Sequence, residues 1–98
     1  MAYLTIARVS GEPSLLVDAY HQTADQMTEV GRDHGLIAHA AGPADDGLVI
    51  VNLWPSRDHS EAAAGDSRRR QVVPDHGLGP ERFSREHLEI ANYVLLDR

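Results

Sequence analysis

The sequence predicts an α+β fold in which a four-stranded antiparallel sheet carries two helices on one face, in the order β-α-β-β-α-β. Two observations predict it. The stretch from Gly47 to Ala64 reads as a buried strand that ends on the only tryptophan, Trp54, and turns at once into a helix. Strand-like and helix-like patterns then alternate along all 98 residues, with turn residues at each junction.

Tyr3 to Val9 is rich in strand formers and is stopped by Ser10 and Gly11. Pro13 and Ser14 open a long helix in which Leu16, Ala19, Tyr20, Thr23, Met27 and Val30 recur near the helical period. Asp33, His34 and Gly35 close it, Gly35 standing where a helix-ending glycine belongs. Leu36 to Ala41 forms a short apolar strand, and the segment from Gly42 to Gly47 carries a strong turn signal. Leu48 to Trp54 is the third strand. Pro55, Ser56 and Asp58 suit a helix start, and the Ala-rich run then predicts a helix to about Arg70. Pro74 to Pro80 breaks any continuation. Leu88, Ile90, Tyr93, Val94, Leu95 and Leu96 place a closing strand over His87 to Leu96. This element order is the ferredoxin-like one, in a single domain spanning residues 1–98.

The third strand also predicts association. Leu48, Ile50 and Trp54 alternate with Val49, Val51 and Leu53, so both of its faces are apolar. An antiparallel sheet with one wet face alternates apolar with polar. Two helices cover only one face, and a second copy of the chain is the simplest cover for the other. A homodimer is therefore expected.

Composition narrows the function. Fifteen acidic residues against nine basic ones, all arginine, give a formal charge of −6, which argues against a nucleic-acid partner. The cluster Arg68 to Arg70 suits a solvated helix end. No cysteine is present, so disulfides and thiol-ligated metals are excluded. No apolar run approaches the ~18 residues that span a bilayer, and the expected location is cytoplasmic, without a membrane partner. Three Asp-His pairs occur, at His34, His59 and His76, but none has the spacing that places two metal ligands on one element face. No metal and no cofactor are expected.

The element order, together with the strand-to-helix junction Leu53-Trp54-Pro55-Ser56-Arg57-Asp58, resembles the antibiotic-biosynthesis-monooxygenase family of the dimeric α+β barrel superfamily. The likeness runs over nearly the whole chain, and its motif is short. It implies a dimeric α/β barrel with a ligand cleft between sheet and helices in each subunit. Some members oxidise phenolic polyketides to quinones with molecular oxygen and neither metal nor flavin, some cleave haem, and some are stress-induced. The quinone-forming members carry an Asn four residues before the Trp. Here that position is Ile50 and the Asn is Asn52, two before, on the same strand face as Trp54. The haem-cleaving pattern of a first-strand Asn and a His along the second helix is not present, since the first strand offers Ala7 and Arg8 and the helix only His59 in its first turn.

Strand alternation collects one candidate site. Arg8, His39 and Asn52 are polar residues within apolar strands, where a polar group needs a partner. Read as catalytic, His39 is a base for a phenol or enol, with Asn52 and Arg8 as donors to the resulting anion. Read as structural, His39 and Asn52 pair with each other or with backbone at the dimer seam, and Arg8 bridges to an acidic side chain. Trp54, Tyr20 and Tyr93 are candidate cleft walls, Tyr20 with its hydroxyl at the cleft edge. His76 and Phe83 lie in the long irregular segment from Val73 to Arg85, where Phe83 could act as a flap. The expected ligand is a small hydrophobic or aromatic molecule. The function implied is a small-molecule, oxygenase-like activity; the competing class is a non-catalytic barrel that binds such a ligand or serves a stress role.

Overall fold

The computed structural model describes residues 1–72 and 83–96. Its elements are β1 (Ala2–Ser10), α1 (Pro13–Asp33), β2 (Ala38–Ala44), β3 (Gly47–Trp54), α2 (Arg57–Ala64), α3 (Ser67–Val72) and β4 (Phe83–Ile90). The strands form one antiparallel sheet in the order β2-β3-β1-β4, with the helices on one face, which is the ferredoxin-like arrangement.

Register decides which side chains share a face. Asn52 stands opposite Thr5 on one side and His39 on the other, and Thr5 stands opposite His87. One cross-strand row thus runs His39, Asn52, Thr5, His87 on the helix-facing side. Tyr3, Ala7 and Val9, with Leu48, Ile50 and Trp54, point the same way because strand side chains alternate. Val9, Leu16 and Leu48 form one buried cluster, joined by Tyr20, Ile50 and Phe83. Tyr3, Trp54 and Ala63 form a second, with Leu36 against it. Each large apolar side chain so buried stabilises the fold by roughly 1.5–3 kcal/mol.

The junctions are built from local chemistry. Glu12 caps α1 by accepting from the Leu15 amide at 2.9 Å, with Pro13 in the first turn. Gly35, at φ +84°, supplies the left-handed turn after α1. Gly47 is needed for a different reason: a Cβ there would lie 1.8 Å from the Val9 carbonyl oxygen, so β1 and β3 close only over a glycine. Ser56 caps α2, accepting from the His59 amide.

Three elements differ from those read off the sequence, and β2 also starts two residues late, at Ala38 rather than Leu36. β2 runs on through Gly42 and Pro43, leaving only Asp45 and Asp46 as the turn; Pro43 is tolerated because β2 is an edge strand. The expected single helix to Arg70 breaks at Gly65 and Asp66, where the Asp66 side chain accepts from the Arg68 amide at 2.9 Å and caps α3. The last strand begins at Phe83 and ends at Ile90, so Tyr93 to Leu96 lie beyond it.

The opposite sheet face carries Leu4, Ile6, Val49, Val51, Leu88 and Ile90, with Arg8 paired to Glu86 among them. Leu88 is 46% exposed and Leu96 79% exposed in the isolated chain. Among the described residues, no helix is long and apolar enough to cross a membrane.

Candidate active site

Between the sheet and α1 to α3 lies a cavity of about 550 Å³, lined by apolar side chains including Met27, Leu36, Ile50, Trp54 and Phe83. Besides the hydroxyls of Thr5, Thr23, Thr28 and Ser60, two groups of polar residues stand on its wall.

The first group is a hydrogen-bonded chain. His39 is placed opposite Asn52 by the hairpin register, and its Nδ1 lies 2.6 Å from Asn52 Oδ1. A carboxamide oxygen only accepts, so Nδ1 carries the proton and Nε2 holds the lone pair. Nε2 then accepts from the Tyr20 hydroxyl, which α1 delivers on its sheet-facing side. The two rings are nearly parallel, 20° apart, with centroids 5.9 Å apart. Burial pushes the Tyr20 phenol above its ordinary value, which keeps it a donor at neutral pH. Tyr20, His39 and Asn52 all face the cavity.

The second group is cationic. Arg85 on β4 and Arg69 on α3 both line the cavity. Arg85 lies over the Phe83 ring at 4.9 Å from its centroid, a cation–π contact that fixes the guanidinium near the wall. Burial is the main cause that lowers the Arg69 value, and the charge of Arg85 lowers it further. His87 completes the polar wall.

Arg8 does not belong to this site. It stands opposite Val49, one residue out of phase with Asn52, so it projects from the other sheet face and pairs there with Glu86. The expected constellation of Arg8 with His39 and Asn52 does not form. Tyr93, expected on the last strand as a cleft wall, lies after that strand, is 44% exposed and is absent from the cavity lining. Phe83, expected as a loop flap, is instead the first residue of β4, half-buried against the Val9 cluster and facing the cavity. His76 lies outside the described residues. Trp54 is both core and wall: it is 5% exposed, and its Nε1–H is a buried donor without an acceptor among the described residues. Sequence reading missed Arg69, Arg85 and His87. The period-two spacing of Phe83, Arg85 and His87 would have grouped them, had the strand been placed correctly.

No protein-family model matches the chain, and no curated protein does. Solved structures do match. A dimeric ferredoxin-like protein of unknown function from a Jannaschia species superposes with TM-score 0.71 at 12% identity, over 92% of this chain and 100% of that one. The monooxygenase ActVA-Orf6 of Streptomyces coelicolor, solved with nanaomycin D, gives 0.69 at 14% identity, over 98% and 92%. A variant of SnoaB, a cofactor-independent oxygenase from Streptomyces nogalater, gives 0.59 at 19% identity, over 98% and 96%. At such identities the likeness is one of fold: this chain has the ferredoxin-like fold shared by antibiotic-biosynthesis monooxygenases and dimeric proteins of no assigned activity.

Proposed function

We propose that this chain is a homodimeric, oxygenase-like protein that oxidises a phenolic aromatic or polyketide-type molecule without a cofactor, using the Tyr20–His39–Asn52 chain as its base. The observation that carries the reading is that chain, in which an unprotonated imidazole nitrogen accepts from the Tyr20 hydroxyl on the wall of an apolar cavity. The oxygenases of like fold support it, as does the neighbour solved with nanaomycin D.

A phenol in the cavity loses its proton to the Tyr20 oxygen as the Tyr20 proton passes to His39 Nε2, or directly to Nε2 if it displaces Tyr20. The imidazolium keeps its Nδ1–H on Asn52, which holds the ring in place through the transfer. The phenolate then supplies the electrons that reduce molecular oxygen. A carbon–oxygen bond forms, the ring carbon loses its hydrogen, and the oxygen–oxygen bond breaks with loss of water. The balance is phenol plus dioxygen giving quinone plus water, and the proton held by His39 leaves in the water.

Dimerisation is proposed from the sheet face opposite the helices, where Leu4, Ile6, Val49 and Val51 form an apolar stripe that the monomer leaves without a second layer. The dimeric neighbour of like fold supports it.

Oxygen uptake and quinone absorbance, measured with a panel of hydroxynaphthalenes and hydroxyanthrones in chelator-treated buffer, test the activity. Light scattering on the same sample is expected to give a mass near twice 10.8 kDa. Uptake that needs the folded protein and persists with chelator is expected. Saturable binding without uptake would instead favour the binding-only barrel.

A further inference from the structure

The charge of the cavity wall is opposite to that of the chain. The protein carries a formal charge of −6, yet among the described residues no Asp or Glu lines the cavity, while Arg69 and Arg85 both do. Elsewhere Arg8, Arg57 and Arg68 each pair with a carboxylate. Arg32, Arg69 and Arg85 have no ion-pair partner among the described residues, and of these Arg69 and Arg85 line the cavity. These two approach from the helix layer and the sheet layer, and the charge of Arg85 acts on Arg69 across the cavity wall. Two cations facing one apolar-walled cavity, Arg69 half-buried and Arg85 exposed at its mouth, are stabilised by a bound anion.

We infer that the cavity takes an aromatic acid, its carboxylate held by Arg69 and Arg85 at one end while its phenol meets Tyr20 and His39 at the other. This rests on the oxygenase reading only for the fate of the phenol; the anion site stands on the wall itself.

Register sets the size of that acid. The sheet order places His39 on β2 and Arg85 on β4, three strand spacings apart. At about 4.8 Å per spacing the two backbones are separated by roughly 14 Å. The His39 and Arg85 side chains shorten that gap from both ends, leaving a span that suits a fused bicyclic or tricyclic skeleton better than a single ring. The ligand class is therefore a fused-ring phenolic acid with its two polar groups at opposite ends.

The test uses 6-hydroxy-2-naphthoate and its neutral isostere 6-hydroxy-2-naphthamide, with binding to the full chain followed by calorimetry and by quenching of Trp54 fluorescence. The acid is expected to bind at least about tenfold tighter than the amide at low salt, as charge-assisted hydrogen bonds to two guanidinium groups require. In Arg85→Gln and in Arg69→Gln the preference is expected to fall to about twofold or less. Arg8→Gln, which removes the same charge from the opposite face, is expected to keep it. Equal binding of acid and amide by the unaltered protein overturns the inference, as does a preference that survives loss of both arginines or binding of neither molecule. The oxygenase reading fails separately. An Arg-dependent acid preference without oxygen uptake removes the reaction and leaves the anion site, whereas equal uptake on acid and amide keeps the reaction and removes the anion site.

Discussion

His34 and His39 stand close together in the chain and do opposite work. His34, at the end of α1, meets the Asp66 carboxylate at 3.0 Å, and that carboxylate also takes two bonds from the Arg68 guanidinium, itself bound to Asp33. The cluster ties the end of α1 to the α2–α3 junction, and every member is committed to another charge. His39 sits between two neutral groups, Tyr20 and Asn52, with an apolar cavity beside it. Its hydrogen bonds fix the ring and its tautomer without placing a carboxylate against it. One histidine is used up in holding helices together; the other keeps a proton-accepting nitrogen on the cavity wall, joined to it through the Tyr20 hydroxyl.

Exchanging the two imidazoles for non-titrating amides gives the largest separation. His39→Gln retains a donor and an acceptor at similar positions but no base, and is expected to lower the rate of phenol oxidation about 10²-fold or more while leaving the urea midpoint near that of the unaltered protein. His34→Gln is expected to do the reverse, lowering the midpoint with little change in rate. Matching losses of rate and midpoint in both variants would erase the distinction.

Tyr20→Phe sharpens it on the cavity side. The substitution removes one neutral hydrogen bond and the relay oxygen but leaves His39 held by Asn52. A fall in rate of about 5–10-fold is expected, the size of one such hydrogen bond, because substrate then reaches Nε2 directly. A loss as large as that in His39→Gln would mean that the proton passes only through the Tyr20 oxygen. An unchanged rate would remove Tyr20 from the path.

Much of this contrast was legible in the chain before folding. The doubly apolar run of β3 and the Pro55, Ser56, Asp58 start of α2 are local signals, and local signals survive into the structure. Asn52 and Trp54 share a face because they are two residues apart on one strand. That His39 joins them depends on the hairpin register, which the two-residue turn at Asp45 and Asp46 fixes. Arg8 was misplaced because both alternating sets of β1 contain apolar residues, so nothing within the strand says which set the helices cover. β4 was placed too late because Phe83 to Ile90 mixes Arg, His and Glu with only a few apolar residues, while Tyr93 to Leu96 is uniformly strand-like. That single slip hid Arg85 and His87. The break before α3 was hidden by the alanines preceding it, although Gly65, Asp66 and Ser67 form a stop followed by a cap.

Asp66 provides the smallest expected effect and the clearest pH signature. The Arg68 side chain first, and His34 second, hold its carboxyl well below the usual carboxylate range. A carboxyl whose value is lower folded than unfolded stabilises the fold while ionised, above its unfolded value near about 3.9, and loses that contribution as the pH falls through and below it. Asp66→Asn removes the charge at every pH. The variant is therefore expected to have a lower urea midpoint than the unaltered protein at pH 7, with the gap narrowing steadily as the pH falls from about 5 to about 2. Paired unfolding curves over that range measure it. A gap that stays constant down to pH 2 would mean that the α1–α3 tether draws its strength from shape rather than from the ionised carboxylate, and His34 would then owe its place to packing.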